Sequence, residues 1–230
     1  MEGRRGRAPL LVGALGFSEK LLVRCVMRVY ATRGLSGVAV LVPSQSDSYS
    51  REKISTAMNS LRSIVEGYMG VPVEFREVPR TSFAAAFHET RSILGEAAAA
   101  GRAVVLCMST GMRHMLLAML AAGLSLTGEA GQEALVEVDL ESGEGYFTIP
   151  LGALRGLASL GPLEARILEA LWAGEAATLP GLSEALGVPR STLWRILRRL
   201  EAQGLIAKRG PRGGYKPLFP PGEAQGHQRL

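Results

Sequence analysis

The sequence predicts an α/β protein in two parts: a mostly parallel sheet covered by helices, then a smaller helical part that ends in a basic β-hairpin. Three observations support this prediction. Short runs rich in valine and leucine alternate with amphipathic segments through residues 1–153. Three short helical segments and a hairpin pattern follow within residues 163–219. The whole net charge of +5 arises from residues 155–216, which hold ten basic and five acidic side chains.

The length and composition exclude several classes of protein. A chain of 230 residues has room for one medium and one small domain. Its 47% hydrophobic residues exclude a disordered chain or a miniprotein built on disulfides. The longest stretch free of acidic and basic residues, 114–128, is too short to cross a bilayer as a helix, and the N-terminal arginines precede only a short apolar run. We therefore expect a soluble, cytoplasmic protein without membrane contact.

The first part repeats a strand followed by a helix. The predicted strands are Pro9–Leu15, Val38–Val42, Val71–Phe75 and Ala103–Cys107. Apolar residues at helical spacing follow each strand, in stripes that run from Phe17 to Tyr30, Ile54 to Tyr68, Phe83 to Leu94 and Met112 to Leu120. Ser18 is a candidate N-cap of the first helix, and Lys20, Arg24 and Arg28 lie on another face of that helix. A closing hairpin is predicted from Leu135–Val138 and Tyr146–Ile149. Strands this apolar predict a mostly parallel, Rossmann-like sheet that is covered on both faces.

Two loops between a strand and a helix are candidates for a ligand site. They are Leu15-Gly16-Phe17-Ser18 and Ser109-Thr110-Gly111-Met112-Arg113. In parallel sheets, ligands bind beyond the carboxyl ends of the strands, and both loops are predicted there. Backbone N–H groups at a helix start suit a phosphate, and the Arg113 guanidinium can bind one through two hydrogen bonds. The spacing matches neither a dinucleotide fingerprint nor a P-loop. The sequence therefore supports two interpretations equally: a phosphate site, or two tight turns that only connect a strand to a helix.

The last third of the chain has the pattern of a winged helix-turn-helix. Residues 154–162 contain two glycines and a proline and predict a linker. A helix follows over Leu163–Trp172, then a short one from about Pro180 to Gly187, then a third that Ser191 or Thr192 opens and Gly204 ends. Residues 205–218 predict a β-hairpin with a basic turn. This domain is assigned to residues 163–219, and residues 220–230 are expected to be a disordered tail.

The polar face of the third helix and the hairpin form a candidate DNA-binding surface. Arginine reads guanine edges or phosphates, and short hydroxyl side chains bind phosphates near a helix start. The candidate residues are Arg190, Ser191, Thr192, Arg195, Arg198 and Arg199 on the helix, and Lys208, Arg209, Arg212 and Lys216 on the hairpin. The alternative is an ordinary solvated face that pairs with Glu201. Because the helix spacing, the basic face and the basic hairpin coincide, the sequence favours binding to double-stranded DNA.

Other side chains predict neither a metal site nor a catalytic site. Cys25 and Cys107 lie in apolar runs, where cysteine is usually a small buried hydrophobe. The three histidines are scattered, so no cluster has the spacing of metal ligands. We see no residue placed as a general acid or base. We therefore expect a protein that is not an enzyme and that has no cofactor.

Both halves together resemble a known family. The residues that carry the resemblance are Leu15-Gly16-Phe17-Ser18-Glu19-Lys20 with Arg24, and Ser109-Thr110-Gly111-Met112-Arg113. With this domain order, the chain resembles the archaeal CRISPR-associated transcriptional regulators that join a CARF domain (CRISPR-associated Rossmann fold) to a C-terminal winged helix-turn-helix. The second loop is similar to that family's Gly-Gly-Met-Arg pattern, with Thr110 where glycine is frequent. The resemblance extends from about Pro9 to Phe219.

The resemblance implies a function. It implies a homodimer that binds a cyclic oligoadenylate, with cyclic tetra-adenylate expected, in a two-fold pocket between the CARF domains. By position, Gly16, Phe17 and Ser18 would line one side of that pocket, and the other side would be lined by Thr110, Gly111, Met112 and Arg113. It also implies control of CRISPR-associated or adaptation genes through DNA binding. Two alternatives remain: a phosphodiesterase of the ring nuclease type that slowly cleaves the cyclic messenger, and a regulator that responds to an unrelated metabolite.

Overall fold

The computed structural model describes residues 8–45, 47–140, 145–174, 177–210 and 213–218. The chain divides into two compact units after Leu151. The expected tail over residues 220–230 and the turn of the closing hairpin, residues 141–144, lie outside the described residues.

The first unit is a sheet with helices between its strands. The strands are β1 (Leu10–Ala14), β2 (Gly37–Pro43), β3 (Val73–Val78), β4 (Val104–Cys107), β5 (Leu135–Asp139) and β6 (Tyr146–Pro150). The helices are α1 (Lys20–Arg33), α2 (Ser48–Arg62), α3 (Phe83–Ala99), α4 (Arg113–Leu124) and α5 (Gly128–Glu133). The strand order is β3-β2-β1-β4-β5-β6, in which β1 to β5 pair in parallel and β6 pairs with β5 antiparallel. The predicted mostly parallel, Rossmann-like sheet is confirmed.

The order of the strands creates a crevice at one edge of the sheet. β1 is central, and its Leu10 pairs with Gly37 of β2 on one side and with Val104 of β4 on the other. Successive connections run outward from β1 to β2 and β3, and the chain then crosses back to β4. In such sheets, the ends of the two strands on either side of this reversal separate and leave space for a ligand.

Local hydrogen bonding moves two boundaries from their predicted places. Helix α1 begins at Lys20 with Glu19 as its N-cap, and Ser18 lies one residue earlier, with its hydroxyl accepting from the Lys20 N–H at 3.4 Å. Strand β3 begins at Val73 instead of Val71, because the Val71 N–H donates to the Val65 carbonyl at 3.2 Å and still belongs to the end of the preceding helix.

The second apolar stripe ends earlier than its sequence spacing predicts. Helix α2 continues into a π-helical turn, Ser63–Tyr68. A π-helix has more residues per turn than an α-helix, so positions spaced for an α-helix rotate out of register. Val65 is fully buried, whereas Tyr68 is 86% exposed.

Helix α3 also departs from its predicted stripe. Its buried positions are mostly small or aliphatic, namely Ala86, Thr90, Ile93, Leu94 and Ala97. Phe83, predicted as part of the buried face, is 46% exposed. The helix therefore packs against its neighbours mainly through short side chains, and its aromatic residues lie at the edge of the buried face.

Two helices occur where the sequence indicated none. Helix α5 covers Gly128–Glu133, and helix α6 (Leu151–Ala158) occupies part of the segment that we assigned to a linker. Gly156, one of the two glycines that predict the linker, lies within α6, and a Cβ there would lie 3.1 Å from the Leu205 side chain. Glycine therefore permits close packing inside the second unit at this position.

The second unit consists of helices followed by a small hairpin. Its elements are α7 (Pro162–Ala173), α8 (Leu179–Leu186), α9 (Arg190–Ala202), β7 (Ile206–Lys208) and β8 (Tyr215–Pro217). The apolar stripe of α9, formed by Leu193, Leu197 and Leu200, is fully buried against Ile167 and Leu182 in one core cluster. Strands β7 and β8 pair antiparallel. The helices and the wing appear in the predicted order.

Candidate functional site

The two predicted ligand loops meet at the edge of the first unit. One follows β1 and the other follows β4, and these strands are parallel neighbours. The Thr110 hydroxyl donates to the Ser18 carbonyl oxygen at 3.3 Å. A Cβ placed on Gly16 would lie 3.7 Å from Gly111 Cα. The backbones of the two loops are therefore in direct proximity, as expected if they share one site.

Gly111 allows the second loop to pass close to β1. Its φ is +113°, a backbone conformation that favours glycine. A Cβ at this position would lie 2.6 Å from Ala14 Cβ, which is closer than packed carbon atoms approach. Gly111 therefore sets the path of residues 109–113 over the end of β1.

A cleft of about 350 Å³ opens at this junction. This volume lies within the range of small-molecule sites. The residues that line it are Gly16, Phe17, Ser18, Pro43, Ile54, Thr110, Gly111 and Met112. The lining thus combines backbone groups and hydroxyls with apolar side chains, and it contains most of the residues that the sequence proposed.

Three of the proposed ligand residues do not line the cleft. The Leu15 side chain is fully buried in the core. Arg113 is the first residue of α4 and is exposed. Ser109 points to the opposite side, where its hydroxyl donates to Asp139 Oδ2 at 3.1 Å and accepts from the Asp139 N–H at 2.8 Å.

Ser109 belongs to a buried ionic cluster that the sequence analysis missed. The Arg28 guanidinium donates to both Asp139 oxygens at 2.8 and 3.0 Å and to Glu137 Oε2 at 2.9 Å. The Arg28 guanidinium carbon lies 3.9 Å from the centre of the Tyr146 ring. The Asp139 side chain is fully buried, and 15% of the Arg28 side chain is exposed. The cluster therefore joins α1, β5 and the loop that follows β4.

The charge on Arg28 is secured by its partners. Burial acts to lower the pKa of Arg28, but hydrogen bonds to Asp139 and Glu137 outweigh it and raise the pKa above its ordinary value. From the sequence, Arg28 shares a helix face with Lys20 and Arg24, away from the apolar stripe. The sequence indicates the buried cluster only in β5. There, Glu137 and Asp139 alternate with valines and therefore lie on one face of a buried strand.

The two cysteines are buried free thiols beside this cluster. The Cys25 Sγ donates to Glu137 Oε2 at 3.8 Å, and the Cys107 Sγ donates to the Ser109 Oγ at 3.6 Å. The hydrogen bond with Cys107, together with burial, raises the pKa of Cys25. Cys25 is therefore protonated at neutral pH, and both cysteines act as small core residues, as predicted.

The candidate DNA-binding face of the second unit is mostly exposed. On α9, Arg190, Ser191, Arg195 and Arg198 are exposed, and Thr192 is half-buried. Arg198 forms an ion pair with Glu201 at 3.4 Å. On the hairpin, Lys208, Arg209 and Lys216 are exposed, whereas Arg212 lies outside the described residues.

Arg199 has a partner inside the second unit. Its guanidinium forms an ion pair with Glu164, whose side chain is only 6% exposed. Glu164 also accepts from the Gly161 N–H at 2.8 Å, which places it at the start of α7. Arg199 therefore connects α9 to α7, a role that its position in the basic stripe did not indicate.

Trp194 is an exposed residue of α9 that the sequence analysis did not select. It is 54% exposed, and the Arg198 guanidinium carbon lies 5.8 Å from its ring centre. The sequence does contain an indication of this exposure, because Trp194 lies outside the apolar stripe of Leu193, Leu197 and Leu200. The exposed face of α9 thus combines a large aromatic ring with arginines.

In the part of the chain that the structure describes, no group of three or more His, Cys, Asp or Glu side chains could hold a metal ion. Within the same residues, no helix combines the length and the apolar character that a membrane span needs.

Sequence comparison assigns a family to each part of the chain. Residues 10–150 match the Csa3 CRISPR-associated Rossmann-like domain. Residues 158–214 match the MarR family. No curated protein matches the chain in sequence.

Several solved structures are similar to this chain in fold. Csm6 of Enterococcus italicus, bound to cyclic hexa-2'-fluoro-hexa-dAMP, is 10% identical with a TM-score of 0.50; the match covers 85% of this chain and 54% of Csm6. Can2 of Sulfobacillus thermosulfidooxidans, in complex with cyclic tetra-adenylate, is 13% identical with a TM-score of 0.45, over 92% of this chain and 61% of Can2. The Vibrio cholerae protein VC1899 is 14% identical with a TM-score of 0.44, and the match covers 92% of this chain and 62% of VC1899. The chain thus spans less than two thirds of each of these proteins.

Proposed function

This chain belongs to the family of the Csa3 CRISPR-associated Rossmann-like domain, and we propose that it is a CRISPR-associated transcriptional regulator that senses a cyclic oligoadenylate and binds DNA. The observation that carries the proposal is the contact between the two glycine loops at the reversal of strand order, in a chain whose second unit matches the MarR family. A ligand sensor and a DNA-binding unit on one chain are what such a regulator requires.

The cleft has the features that a cyclic oligonucleotide needs. Its glycine backbones allow close approach of phosphate, and Met112, the N-cap of α4, supplies no side-chain cap to the first turn. Arg113 brings a permanent positive charge at that turn. The fold is shared with Csm6, whose structure holds a cyclic hexanucleotide analogue. Cyclic tetra-adenylate, which the family resemblance implies, is the first ring to test.

A homodimer is part of the proposal. A ring with two-fold symmetry can lie on the axis between two identical subunits, so each subunit contributes the same loops to it. A dimer also presents two copies of α9 to the two halves of a palindromic operator. Such a dimer has one state that binds DNA tightly and one that binds it weakly. The ligand changes DNA affinity only to the extent that it binds these two states with different affinity.

Replacing Arg113 by alanine is expected to weaken the binding of cyclic tetra-adenylate about tenfold or more, because a hydrogen bond to a charged group is lost. Calorimetric titration measures this, with one ring per dimer expected for the parent protein. Arg102→Ala is the matched control, since Arg102 is an exposed arginine that precedes β4 at the opposite edge of the sheet. Equal affinity in the parent and Arg113→Ala proteins would exclude Arg113 from the contacts of the ring.

The proposal includes no catalytic step. After long incubation with the protein, we expect cyclic tetra-adenylate to be recovered intact by chromatography. Linear product in excess of the protein would instead identify a phosphodiesterase of the ring nuclease type.

Replacing Arg195 by alanine is expected to weaken binding to a DNA duplex that the parent protein selects from a random pool. A lost base contact costs about 1–3 kcal/mol, and a lost phosphate contact lowers the slope of log affinity against log salt by about 1. Arg199→Ala should affect DNA affinity less, because Arg199 is paired with Glu164. Fluorescence anisotropy over a salt series measures both effects.

Arg166→Ala is the control for the DNA measurement, because Arg166 is an exposed arginine on α7 and lies outside the proposed surface. If Arg195→Ala binds the selected duplex as tightly as Arg166→Ala does, α9 is not the recognition helix. If Arg199→Ala unfolds at the same temperature as the parent protein, a larger loss of DNA affinity than with Arg195→Ala would show that Arg199 leaves Glu164 to contact DNA.

A further inference from the structure

A second cleft adjoins the glycine loops, with Phe17 as the residue common to both. It has a volume of about 340 Å³. Besides Phe17, the residues important to its chemistry are Glu19, Tyr49, Glu52, Lys53 and Thr56. Apart from Phe17, no residue of this cleft was among the candidate ligand residues of the sequence analysis. Because one ring belongs to both clefts, a nucleotide with its phosphate at Gly16 and Gly111 can extend past Phe17 into the second cleft.

Two aromatic side chains are exposed in this cleft. Phe17 is 53% exposed and Tyr49 is 64% exposed. The Lys53 ammonium lies 5.9 Å from the Phe17 ring centre and 4.5 Å from the Tyr49 ring centre, which are cation–π distances. Lys53 therefore associates with both rings while each leaves much of its surface open to a ligand.

Tyr49 belongs to the first turn of α2, and this turn is capped. The N-cap residue Asp47 accepts the Ser50 N–H at 2.7 Å. The hydrogen bond that the Ser50 N–H donates to the Asp47 carboxylate lowers the pKa of Asp47, so this cap is charged at neutral pH. Tyr49 thus projects from a capped helix start, which fixes the position of its backbone.

The charges of the cleft distinguish a nucleobase from a phosphate. Glu19 and Glu52 provide two carboxylates against the one ammonium of Lys53. A phosphate in this cleft would be repelled, whereas a neutral ring would not. A carboxylate also accepts a hydrogen bond from an exocyclic amino group. Ser60 donates to Glu19 at 2.9 Å, so Glu52 is the carboxylate that we assign to the ligand.

We infer that this second cleft is an adenine subsite, in which the base stacks on Tyr49 and Phe17 and its amino group donates to Glu52. The inference rests on the proposed function, because the base belongs to the same cyclic oligoadenylate whose phosphate lies at the glycine loops. It adds Tyr49, Glu52 and Lys53 to the ligand site and assigns recognition of the base to α2.

The first test replaces Tyr49. Tyr49→Ala is expected to weaken the binding of cyclic tetra-adenylate about tenfold, the typical effect of losing one stacking partner. Tyr49→Phe, which keeps the ring, should bind as the parent does. Tyr68→Ala is the matched control, because Tyr68 is an exposed tyrosine at the far end of the same helical stretch. Calorimetric titration of the four proteins gives the comparison.

The second test changes the base. In cyclic tetra-inosinate the amino group is replaced by a carbonyl oxygen, so Glu52 would face an acceptor and the parent protein should bind this ring more weakly. Glu52→Gln offers an amide that can donate to the carbonyl, so it should reduce or reverse the preference. An unchanged preference in Glu52→Gln would remove Glu52 from the subsite.

The outcomes separate the subsite from the proposed function. If the parent protein and Tyr49→Ala bind cyclic tetra-adenylate equally, the subsite is wrong and the sensor proposal stands. If the parent protein binds no cyclic tetra-adenylate, the proposed ligand is wrong, and adenosine monophosphate then tests the subsite alone by nuclear magnetic resonance. Shifts of the Tyr49 ring signals without shifts of Tyr68 would support an adenine subsite, and unshifted Tyr49 signals would overturn it.

Discussion

Replacing Arg28 by methionine is expected to lower the free energy of unfolding by about 3–5 kcal/mol, the usual cost of removing one partner from a buried ion pair. Glu137 and Asp139 would remain buried without the guanidinium that compensates both of them. Urea denaturation followed by circular dichroism measures the loss. Both tryptophans of the chain, Trp172 and Trp194, lie in the second unit, so tryptophan fluorescence shows whether that unit is affected.

Arg24→Met is the control for this prediction. Arg24 lies one turn earlier on α1 and also approaches Asp139, at 3.8 Å, but its side chain is 43% exposed. Exposed ion pairs contribute about 0–1 kcal/mol, so this variant should lose little stability. Similar losses in both variants would show that burial of the Arg28 cluster does not determine its contribution.

A double variant tests the ion pair between Arg28 and Asp139. Adding Asp139→Asn to Arg28→Met should cost less than the sum of the two single changes, because each removes the same interaction. Strict additivity would contradict the direct bonds between the two side chains. Since Ser109 is bonded to Asp139, the same variants should also weaken ligand binding through the loop that begins there.

Replacing Gly111 by alanine is expected to destabilise the first unit by about 2–5 kcal/mol, since it combines backbone strain with overpacking. The φ of +113° disfavours any residue with a Cβ, and the new methyl group would lie 2.6 Å from Ala14 Cβ. The loop can relieve the clash only by moving away from β1. Thermal unfolding by circular dichroism measures the loss, and calorimetry with cyclic tetra-adenylate measures the effect on binding.

Gly16→Ala provides the matched comparison. A Cβ at Gly16 would meet its nearest neighbours at 3.7 Å, an ordinary contact distance, and its φ lies outside the region that favours glycine. We expect its stability to change by less than about 1 kcal/mol. If Gly111→Ala were as stable as Gly16→Ala, the loop after β4 would not depend on close passage over β1.

Part of this architecture was predictable because it is encoded locally. The strands β1, β2 and β4 are short apolar runs, and the alternation of such runs with amphipathic helices predicts a parallel sheet. The chain order also places both glycine loops at one edge, where the Thr110–Ser18 hydrogen bond now joins them. The turn before α9 and the buried leucines of that helix were likewise evident from spacing alone.

Other features depend on contacts that helical or strand periodicity does not contain. Tyr49 follows β2 in the chain but faces Phe17 of the first loop, through Lys53, only after the sheet has formed. Tyr68 has the correct spacing for burial and is nevertheless exposed, because the π-helical turn changes the register. Local patterns describe one element at a time and give no distance between elements.

The sequence by itself determined the alternation of the main strands and helices along the chain, the place of the two loops and the basic character of the last third. The tertiary structure decided which charges are free and which are paired. Arg28 bonds to residues 109 and 111 positions away, and Arg199 binds Glu164 on another helix. The physical reason is that apolar periodicity reports burial along one element, whereas an ion pair depends on which elements pack together, and that is settled only when the whole core forms.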